Sequence, residues 1–424
     1  MDGTAARIAA WEALEKVLRR HLALDDSLEV ETLGDPERAF ARRLAAATLK
    51  RLGQIDRLIE GCLDRPLPVK AGRVQDLLRL GAAQLLFLGV APHAAVDTAV
   101  TIARRAGLSA HVKLVNAVLR RLAAEGAALV ADQDAARLNT PDWLWESWRD
   151  AYGEALCRAI ATAHLGEAPL DLSVKGDAAA WAAALEAELL PTGSLRRAAG
   201  VRITTLPGYD QGAWWVQDAA AALPVRLLGE VRGLEVADIG AAPGGKTAQL
   251  AAAGARVTAV DRSAGRLTRL AGNLARLGLE AHTVEADAAL WQPSQSFDAM
   301  ILDAPCTATG TLRRHPDAAW LKRPRDVAKL AAVQDRLLGA AARLLRPGGL
   351  LVYCTCSLQP EEGRPRIEAL LAAGAPFRRR PVSPGELAGQ GDLLSVDGDL
   401  RTLPCHLGEK GGMDGFYAAR LERL

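Results

Sequence analysis

Apolar residues in the first third of the chain recur every three or four positions. Ile8, Trp11, Leu14, Val17 and Leu18 fall on one helical face, as do Phe40, Leu44 and Ala47, then Leu52, Ile55, Leu58 and Ile59, then Leu77, Leu78, Leu80, Leu85 and Leu86. Gly34-Asp35-Pro36, Arg65-Pro66-Leu67-Pro68 and Ala91-Pro92-His93 interrupt the pattern as turns do. Residues 1–132 are therefore expected to form an all-α bundle of five or more helices. Residues 133–220 begin with a polar stretch ending in Asn139-Thr140-Pro141 and continue with a Trp-rich helical run (Trp143, Trp145, Trp148). Short strand-like pieces follow at 170–174 and 201–204, so this part is expected to be a linker helix and a small α/β subdomain.

From residue 221 to 424 the pattern changes. Short apolar runs at 236–239, 257–260, 282–285, 299–302 and 350–354 are separated by helical stretches such as 267–277 and 327–345. Strand and helix in alternation imply a Rossmann-like α/β domain with a doubly wound parallel sheet, whose ligands lie beyond the carboxyl ends of the strands. No internal repeat interrupts this three-part organisation.

Composition narrows the function classes. Half of the residues are hydrophobic and only 4% aromatic, which excludes a mainly disordered chain. Lys and Arg total 52 against 50 Asp and Glu, so a polyanion would have to be held by local patches rather than by the whole surface. The most apolar stretch, residues 77–96, contains Arg79, Gln84 and His93, and Met1-Asp2-Gly3-Thr4 has no basic leader pattern; neither membrane insertion nor export is expected. Six cysteines are too few for a disulfide scaffold, so a reducing cytoplasm is the expected location.

The candidate chemistry lies at strand ends. Asp238-Ile239-Gly240-Ala241-Ala242-Pro243-Gly244-Gly245-Lys246-Thr247 is a glycine-rich turn between a strand and a helix, suited to close backbone approach and to helix N-terminal amides facing an anion. Residues 240–247 also fit the phosphate-loop pattern G-x-x-x-x-G-K-[ST], with Asp303 as the acid that would hold Mg²⁺, which keeps a nucleotidase as a rival reading. Asp261 ends the next strand, where a carboxylate accepts the ribose hydroxyls of an adenosine; Asp287 ends the one after. Three acids at successive strand ends favour a nucleoside without a triphosphate, and S-adenosylmethionine fits that description. Asp261 and Asp287 as plain loop caps, and Lys246 as an ordinary helix-start lysine, are the bland alternatives. Two cysteine motifs follow, Asp303-Ala304-Pro305-Cys306 and Tyr353-Cys354-Thr355-Cys356-Ser357. Their C-x-C spacing lacks the knuckle of a structural zinc site, and no metal is expected.

These four motifs in this order, Ala-Ala-Pro-Gly-Gly-Lys-Thr (241–247), Asp-Ala-Pro-Cys (303–306), Thr-Cys-Ser (355–357) and Asp-Gly-Phe-Tyr (414–417), resemble the Nol/Nop/Sun family of RNA 5-methylcytosine methyltransferases over residues from about 205 onward. The helical first third looks like the NusB-type RNA-binding domain that bacterial members carry, on phrases such as Pro36-Glu37-Arg38-Ala39-Phe40-Ala41-Arg42-Arg43 and Val115-Asn116-Ala117-Val118-Leu119-Arg120-Arg121. The resemblance implies an S-adenosylmethionine-dependent methyltransferase domain acting on RNA, with 16S rRNA as the expected substrate and a monomer as the expected state. It implies Cys356 as nucleophile, Cys306 for release and Asp303 as the acid at the ring. Gly240, Ala241, Ala242, Pro243, Gly244, Gly245, Lys246, Asp261, Asp287 and Asp303 would bind the cofactor. Arg313, Arg314 and His315, just beyond the cysteine loop, would face phosphates or be a solvated basic loop. The chain departs from the family in Thr307-Ala308, where Ser-Gly is usual, in Cys354 and in Gly240. A non-catalytic RNA-binding scaffold is the remaining alternative; it predicts lost catalytic residues, and none is lost.

Overall fold

A computed structural model describes residues 3–28, 31 and 33–424; Met1 and Asp2, read above for a leader, lie outside the described residues. The chain divides into two compact units, residues 1–166 with Leu312–Arg323, and residues 167–311 with 324–424. This division differs from the three expected segments. The boundary expected near residue 132 falls inside the first unit, because the Trp-rich helix packs there, and a piece expected to belong to the catalytic sheet's loops joins the helical unit instead.

The first unit holds α1 (Thr4–Arg20), α2 (Leu24–Ser27), α3 (Asp35–Lys50), α4 (Leu52–Gly61), α5 (Gly72–Phe87), α6 (Pro92–Arg105), α7 (Val112–Ala131), α8 (Ala135–Leu138) and α9 (Asp142–His164). The periodic residues Trp11, Leu14, Leu44, Ile55, Leu77 and Leu119 are all buried in one core. Leu312–Arg323 is stitched into it: Trp320 Nε1 donates to Leu49 O at 2.9 Å, Lys50 Nζ donates to Arg313 O at 3.0 Å, and Asp317 Oδ2 accepts the Leu24 amide at 3.0 Å. Arg313 is buried, so it does not face solvent phosphates; Arg314 is exposed and His315 half-buried. Among the described residues no helix is long and apolar enough to cross a membrane.

In the second unit a small antiparallel sheet comes first: β1 (Leu170–Val174), β2 (Glu188–Leu189), β3 (Leu195–Arg197) and β4 (Trp214–Val216), in the order β2-β3-β1-β4. Of residues 201–204, expected in a strand, Ile203 and Thr204 lie instead in a 3₁₀ turn, Ile203–Thr205, where the Thr205 hydroxyl donates to Arg202 O at 2.8 Å and so offers the backbone an alternative to a ladder. Asp171 anchors this layer, accepting both Arg196 Nε and Nη2 at 2.7 Å and the Ala219 amide at 2.9 Å.

The main sheet contains β5 (Glu235–Ile239), β6 (Arg256–Asp261), β7 (His282–Glu285), β8 (Phe297–Asp303), β9 (Leu345–Thr355), β10 (Phe377–Arg379), β11 (Leu400–Thr402) and β12 (Phe416–Arg423), ordered β10-β12-β9-β8-β5-β6-β7 with β11 also on β12. β5 pairs in parallel with β6 on one side and β8 on the other. The strand order reverses there, and a doubly wound sheet opens its ligand crevice at such a point. Val236, Ala237, Ile301 and Val352 are buried, as expected of strands covered on both faces. β10, β11 and β12 lie outside the expected strands, and β12 matters most for the site. It inserts antiparallel to β9, with Tyr417 opposite Thr355 and Ala418 opposite Cys354, which brings Asp-Gly-Phe-Tyr alongside Thr-Cys-Ser.

Candidate active site

The glycine turn leaves β5 at Gly240, whose φ is 77° and where an added Cβ would lie 2.3 Å from the Asp303 carbonyl oxygen. This close approach brings the turn against the end of β8. Gly244 then starts the helix Gly245–Ala252. Thr247 Oγ1 donates to Asp238 Oδ2 at 2.6 Å, and both residues are buried. Burial pushes the Asp238 carboxyl up to about 6, against the Thr247 hydrogen bond and the nearby Lys246 charge. Lys246 Nζ turns the other way along the sheet ends, donating to Asp303 Oδ2 at 2.8 Å and lying 5.2 Å from the centre of the Phe416 ring. Burial works to lower the Lys246 pKa, but Asp303 together with Cys354 and Asp238 outweighs it and the net shift is upward. The lysine and hydroxyl that a phosphate loop would aim at nucleotide and Mg²⁺ are thus both committed to carboxylates of the protein.

A cavity of about 560 Å³ opens over these strand ends, lined among others by Gly240, Ala242, Asp261, Asp287, Asp303, Cys306 and Cys356. Ala241, Pro243, Gly244, Gly245 and Lys246 are not in its lining; they form the turn behind it. Asp261 is buried and accepts the amides of Ala242 at 3.3 Å and Ser263 at 3.1 Å, with Arg266 Nη1 3.2 Å away. Asp287 Oδ1 accepts the Ala289 amide at 3.0 Å, so it caps its loop while also facing the cavity. Trp214 and Trp215 are core residues: Trp215 Nε1 donates to Gln217 Oε1 at 2.8 Å, and Gln217 Nε2 reaches Gln249 Oε1, on the helix after the glycine turn, at 3.2 Å.

The two cysteine motifs converge, with Cys306 Sγ and Cys356 Sγ 3.5 Å apart. Cys306 is pushed well above the ordinary thiol range by its hydrogen bond to Cys356, by burial and by the charges of Cys356 and Glu362. Burial beside a second sulfur thus favours the neutral form of Cys306, and either sulfur can be the S–H donor of the pair. Cys354, between them in sequence, is buried and raised by burial and by Asp303. Its sulfur lies 3.8 Å from Asp303 Oδ1 rather than in the cavity lining. Among the described residues no three His, Cys, Asp or Glu side chains form a candidate metal site.

The departures from the family pattern have local explanations. Thr307 keeps the hydroxyl of the usual serine, placing Oγ1 3.0 Å from Ser357 Oγ and against Glu362. Ala308 has φ 57°, a left-handed conformation that suits the usual glycine better. Gly310 packs on Gly415, where an added Cβ would lie 2.0 Å from the Gly415 oxygen, and Gly415 N donates to Gly310 O at 2.8 Å. This contact fixes the Asp-Gly-Phe-Tyr segment on the cysteine loop. Glu362 and Gln334, which hold that loop from behind, escaped the sequence reading. Gln334 is a polar residue at a fully buried position of an otherwise amphipathic helix, the only hint available beforehand.

A family model described as 16S rRNA methyltransferase RsmB/F matches residues 226–422, and a NusB family model matches residues 4–124. The ribosomal RNA small subunit methyltransferase B of Erwinia tasmaniensis is 35% identical over 438 residues, spanning 99% of this chain and 98% of that protein. The protein of the same name from Xylella fastidiosa is 37% identical over 438 residues, again spanning 99% and 98%. A crystal structure of a methyltransferase homologue from Pyrococcus horikoshii is 26% identical, with a TM-score of 0.55 over 66% of this chain and 94% of that one. With full-length similarity of this order, with three of the motifs lining one cavity and the fourth packed on the cysteine loop, the chain belongs to the RsmB/F family of small-subunit rRNA methyltransferases and carries a NusB-family domain in its N-terminal part.

Proposed function

We propose that this rRNA methyltransferase moves a methyl group from S-adenosylmethionine to carbon 5 of an unpaired cytosine in 16S rRNA, through a covalent bond between Cys356 and carbon 6. The observation that carries the reading is the 3.5 Å approach of Cys306 and Cys356 in the cavity that also reaches Asp303 and Asp261. The donor set fits the cofactor. Asp261 and Asp287 offer acceptors for ribose hydroxyls and an exocyclic amine, Gly240 and Ala242 allow close backbone approach, and three carboxylates suit a ligand with positive sulfonium and ammonium groups. When bound there, S-adenosylmethionine supplies an electrophilic methyl group.

The protein's own residues account for the rest. Carbon 5 of cytosine is a poor nucleophile until a thiolate adds to carbon 6, which is the role of Cys356. Asp303 meets the ring at N3 and offsets the charge that develops as the C6–S bond forms. As the C6–S bond forms, the proton of the Cys356 thiol passes by way of Asp303 to N3, with Lys246 holding the Asp303 carboxyl in place. Cys306 loses its thiol proton to solvent in the open cavity and then takes the proton from carbon 5; the electron pair reforms the C5–C6 double bond, the Cys356 sulfur leaves, and the N3 proton returns to it through Asp303. A target base must leave its stack to enter such a cavity, at a cost of a few kcal/mol that an unpaired loop largely avoids.

Individual replacement of the two cysteines tests the roles. Covalent protein–RNA adducts are expected from Cys306→Ala with unmodified small-subunit rRNA and S-adenosylmethionine, and none from Cys356→Ala. The reverse pattern would exchange the two assignments.

A further inference from the structure

Behind Cys306 lies a carboxylate that the proposed reaction does not use. Glu362 is completely buried, yet its partners are neutral: the Thr307 amide at 3.0 and 3.1 Å, the Thr307 hydroxyl, and Gln334 Nε2 at 3.1 Å. Burying a carboxyl group among neutral partners is costly, and a carboxamide or an apolar side chain of similar volume would fill the same space at lower cost. Its hydrogen bonds also have a particular layout. Gln334 Nε2 donates both to Glu362 and, at 2.9 Å, to Pro305 O, while Thr307 is held by Glu362 directly. Cys306 is thus pinned on both sides, through the carbonyl before it and the amide after it. The pair is itself braced by Tyr353, whose hydroxyl shares its one proton between Glu362 O at 2.8 Å and Gln334 Oε1 at 3.1 Å. Tyr353 and Thr355 precede Cys356 on the same strand, and Thr355 Oγ1 donates to Glu362 O at 3.2 Å, so one residue ties the two cysteine segments together.

We propose that Glu362 is a positioning residue for the release step: with Gln334 it sets the Pro305–Thr307 backbone so that the Cys306 sulfur stays against Cys356 and, after addition, against the carbon 5 proton. The inference rests on the cysteine roles proposed above. A carboxylate serves because it is acceptor-only and takes three donors at once. A glutamine in its place keeps the volume but turns an NH₂ group toward Thr307 or Gln334, which frees the loop on one side. Displacement by about 1 Å is enough to cost two orders of magnitude in a positioned reaction.

The experiment compares Glu362→Gln, Gln334→Met, Cys306→Ala and the unaltered full-length protein on unmodified small-subunit rRNA with S-adenosylmethionine. Methylation rates, KM for RNA, denaturing-gel adducts and thermal stability are read together. Glu362→Gln is expected to lose about 10- to 100-fold in kcat with KM for RNA within about threefold, and to accumulate covalent adduct as Cys306→Ala does. Gln334→Met, which removes the Pro305 tie, its share of the Glu362 bonds and its contact with the Tyr353 hydroxyl, is expected to do the same more weakly and keeps the test decisive if Glu362→Gln does not fold. A structural role alone would lower activity and adduct together with stability. Full turnover in a folded Glu362→Gln or Gln334→Met, or lost turnover without adduct, overturns the proposal. If Cys306→Ala itself yields no adduct, the cysteine roles fall and this proposal with them; adduct from Cys306→Ala alone removes only the role of Glu362.

Discussion

Lys246 Nζ lies 2.8 Å from Asp303 Oδ2, so the turn after β5 and the acid at the end of β8 are one hydrogen-bonded unit. Lys246 is 8% exposed, which sets it apart from an ordinary lysine at a helix start. Because it touches the acid and is absent from the cavity lining, Lys246→Met is expected to act through Asp303. Methyl transfer should fall by about 100-fold or more, within the usual range for disabling an acid–base group. Affinity for S-adenosylmethionine, measured by calorimetry, should stay within about threefold. A large loss of cofactor affinity with normal single-turnover rate would place Lys246 on the cofactor instead.

Asp261 carries the opposite expectation. Its carboxylate is buried at the cavity wall and already accepts two backbone amides, so it is preorganised to accept more. Asp261→Ala should weaken S-adenosylmethionine binding by about 10- to 100-fold, the worth of a charged hydrogen bond, and largely spare turnover at saturating cofactor. Asp287 has one oxygen committed to the Ala289 amide, so Asp287→Ala is expected to lose about tenfold or less by the same measurement. Unchanged titration curves for both variants would remove the adenosine reading of these acids.

Ala308 is a left-handed residue beside Cys306. The conformation costs an L-residue roughly 1–2 kcal/mol, and replacement by glycine returns about 0.4–1 kcal/mol to the unfolded chain as entropy. Ala308→Gly should therefore stabilise the protein by about 0.5 kcal/mol, seen as a small rise in the denaturation midpoint with methylation retained. A fall in the midpoint would show that the loop relaxes without strain.

His164 gives the helical unit an acid-sensitive element. It is buried against Trp148, with ring centres 5.3 Å apart, and its pKa is lowered to about 3 by burial and by the nearby Arg313 and Lys50 charges. Below the ordinary imidazole value of 6.5 the unfolded chain takes up a proton that the folded unit refuses, so stability falls as pH drops from 6.5 toward 3. Between pH 7 and pH 5 the loss amounts to about 2 kcal/mol. Denaturant titrations followed by tryptophan fluorescence should show that loss in the unaltered protein and a flatter profile in His164→Phe. Equal slopes would mean that the ring is protonated in the folded state.

Much of this organisation was legible before any coordinates. β5, β6, β8 and the end of β9 announce themselves as short apolar runs because strands covered on both faces have no polar alternation to keep. Placing the glycine turn, Asp261, Asp303 and the cysteine motifs at strand ends then needs only the rule that a doubly wound sheet binds beyond its carboxyl edge. The helices of the first unit were legible for the complementary reason: Trp11, Leu14, Leu44, Ile55 and Leu77 mark one face at helical spacing, and all are buried.

Other features depend on contacts between residues far apart in the chain, which local patterning does not encode. Leu312–Arg323 follows the cysteine loop yet belongs to the helical unit, because Trp320, Asp317 and the Arg313 backbone find their hydrogen-bond partners on Leu49, Leu24 and Lys50. Arg313 is buried for that reason, which fits neither of the two expectations for it, a phosphate contact or a solvated basic loop. β12 is a further case: its insertion beside β9 is settled by register with Thr355 and Cys354, which nothing near residue 416 specifies. Residue types and their order were enough to select the fold class and the family and to single out the side chains proposed to react, since those follow from local periodicity and motif chemistry. Which side chains carry the support was decided by tertiary packing: Lys246 turns to Asp303, Thr247 to Asp238, and a buried Glu362 comes to lie behind Cys306 only when β8, β9 and the intervening helix Pro324–Leu344 close on one another.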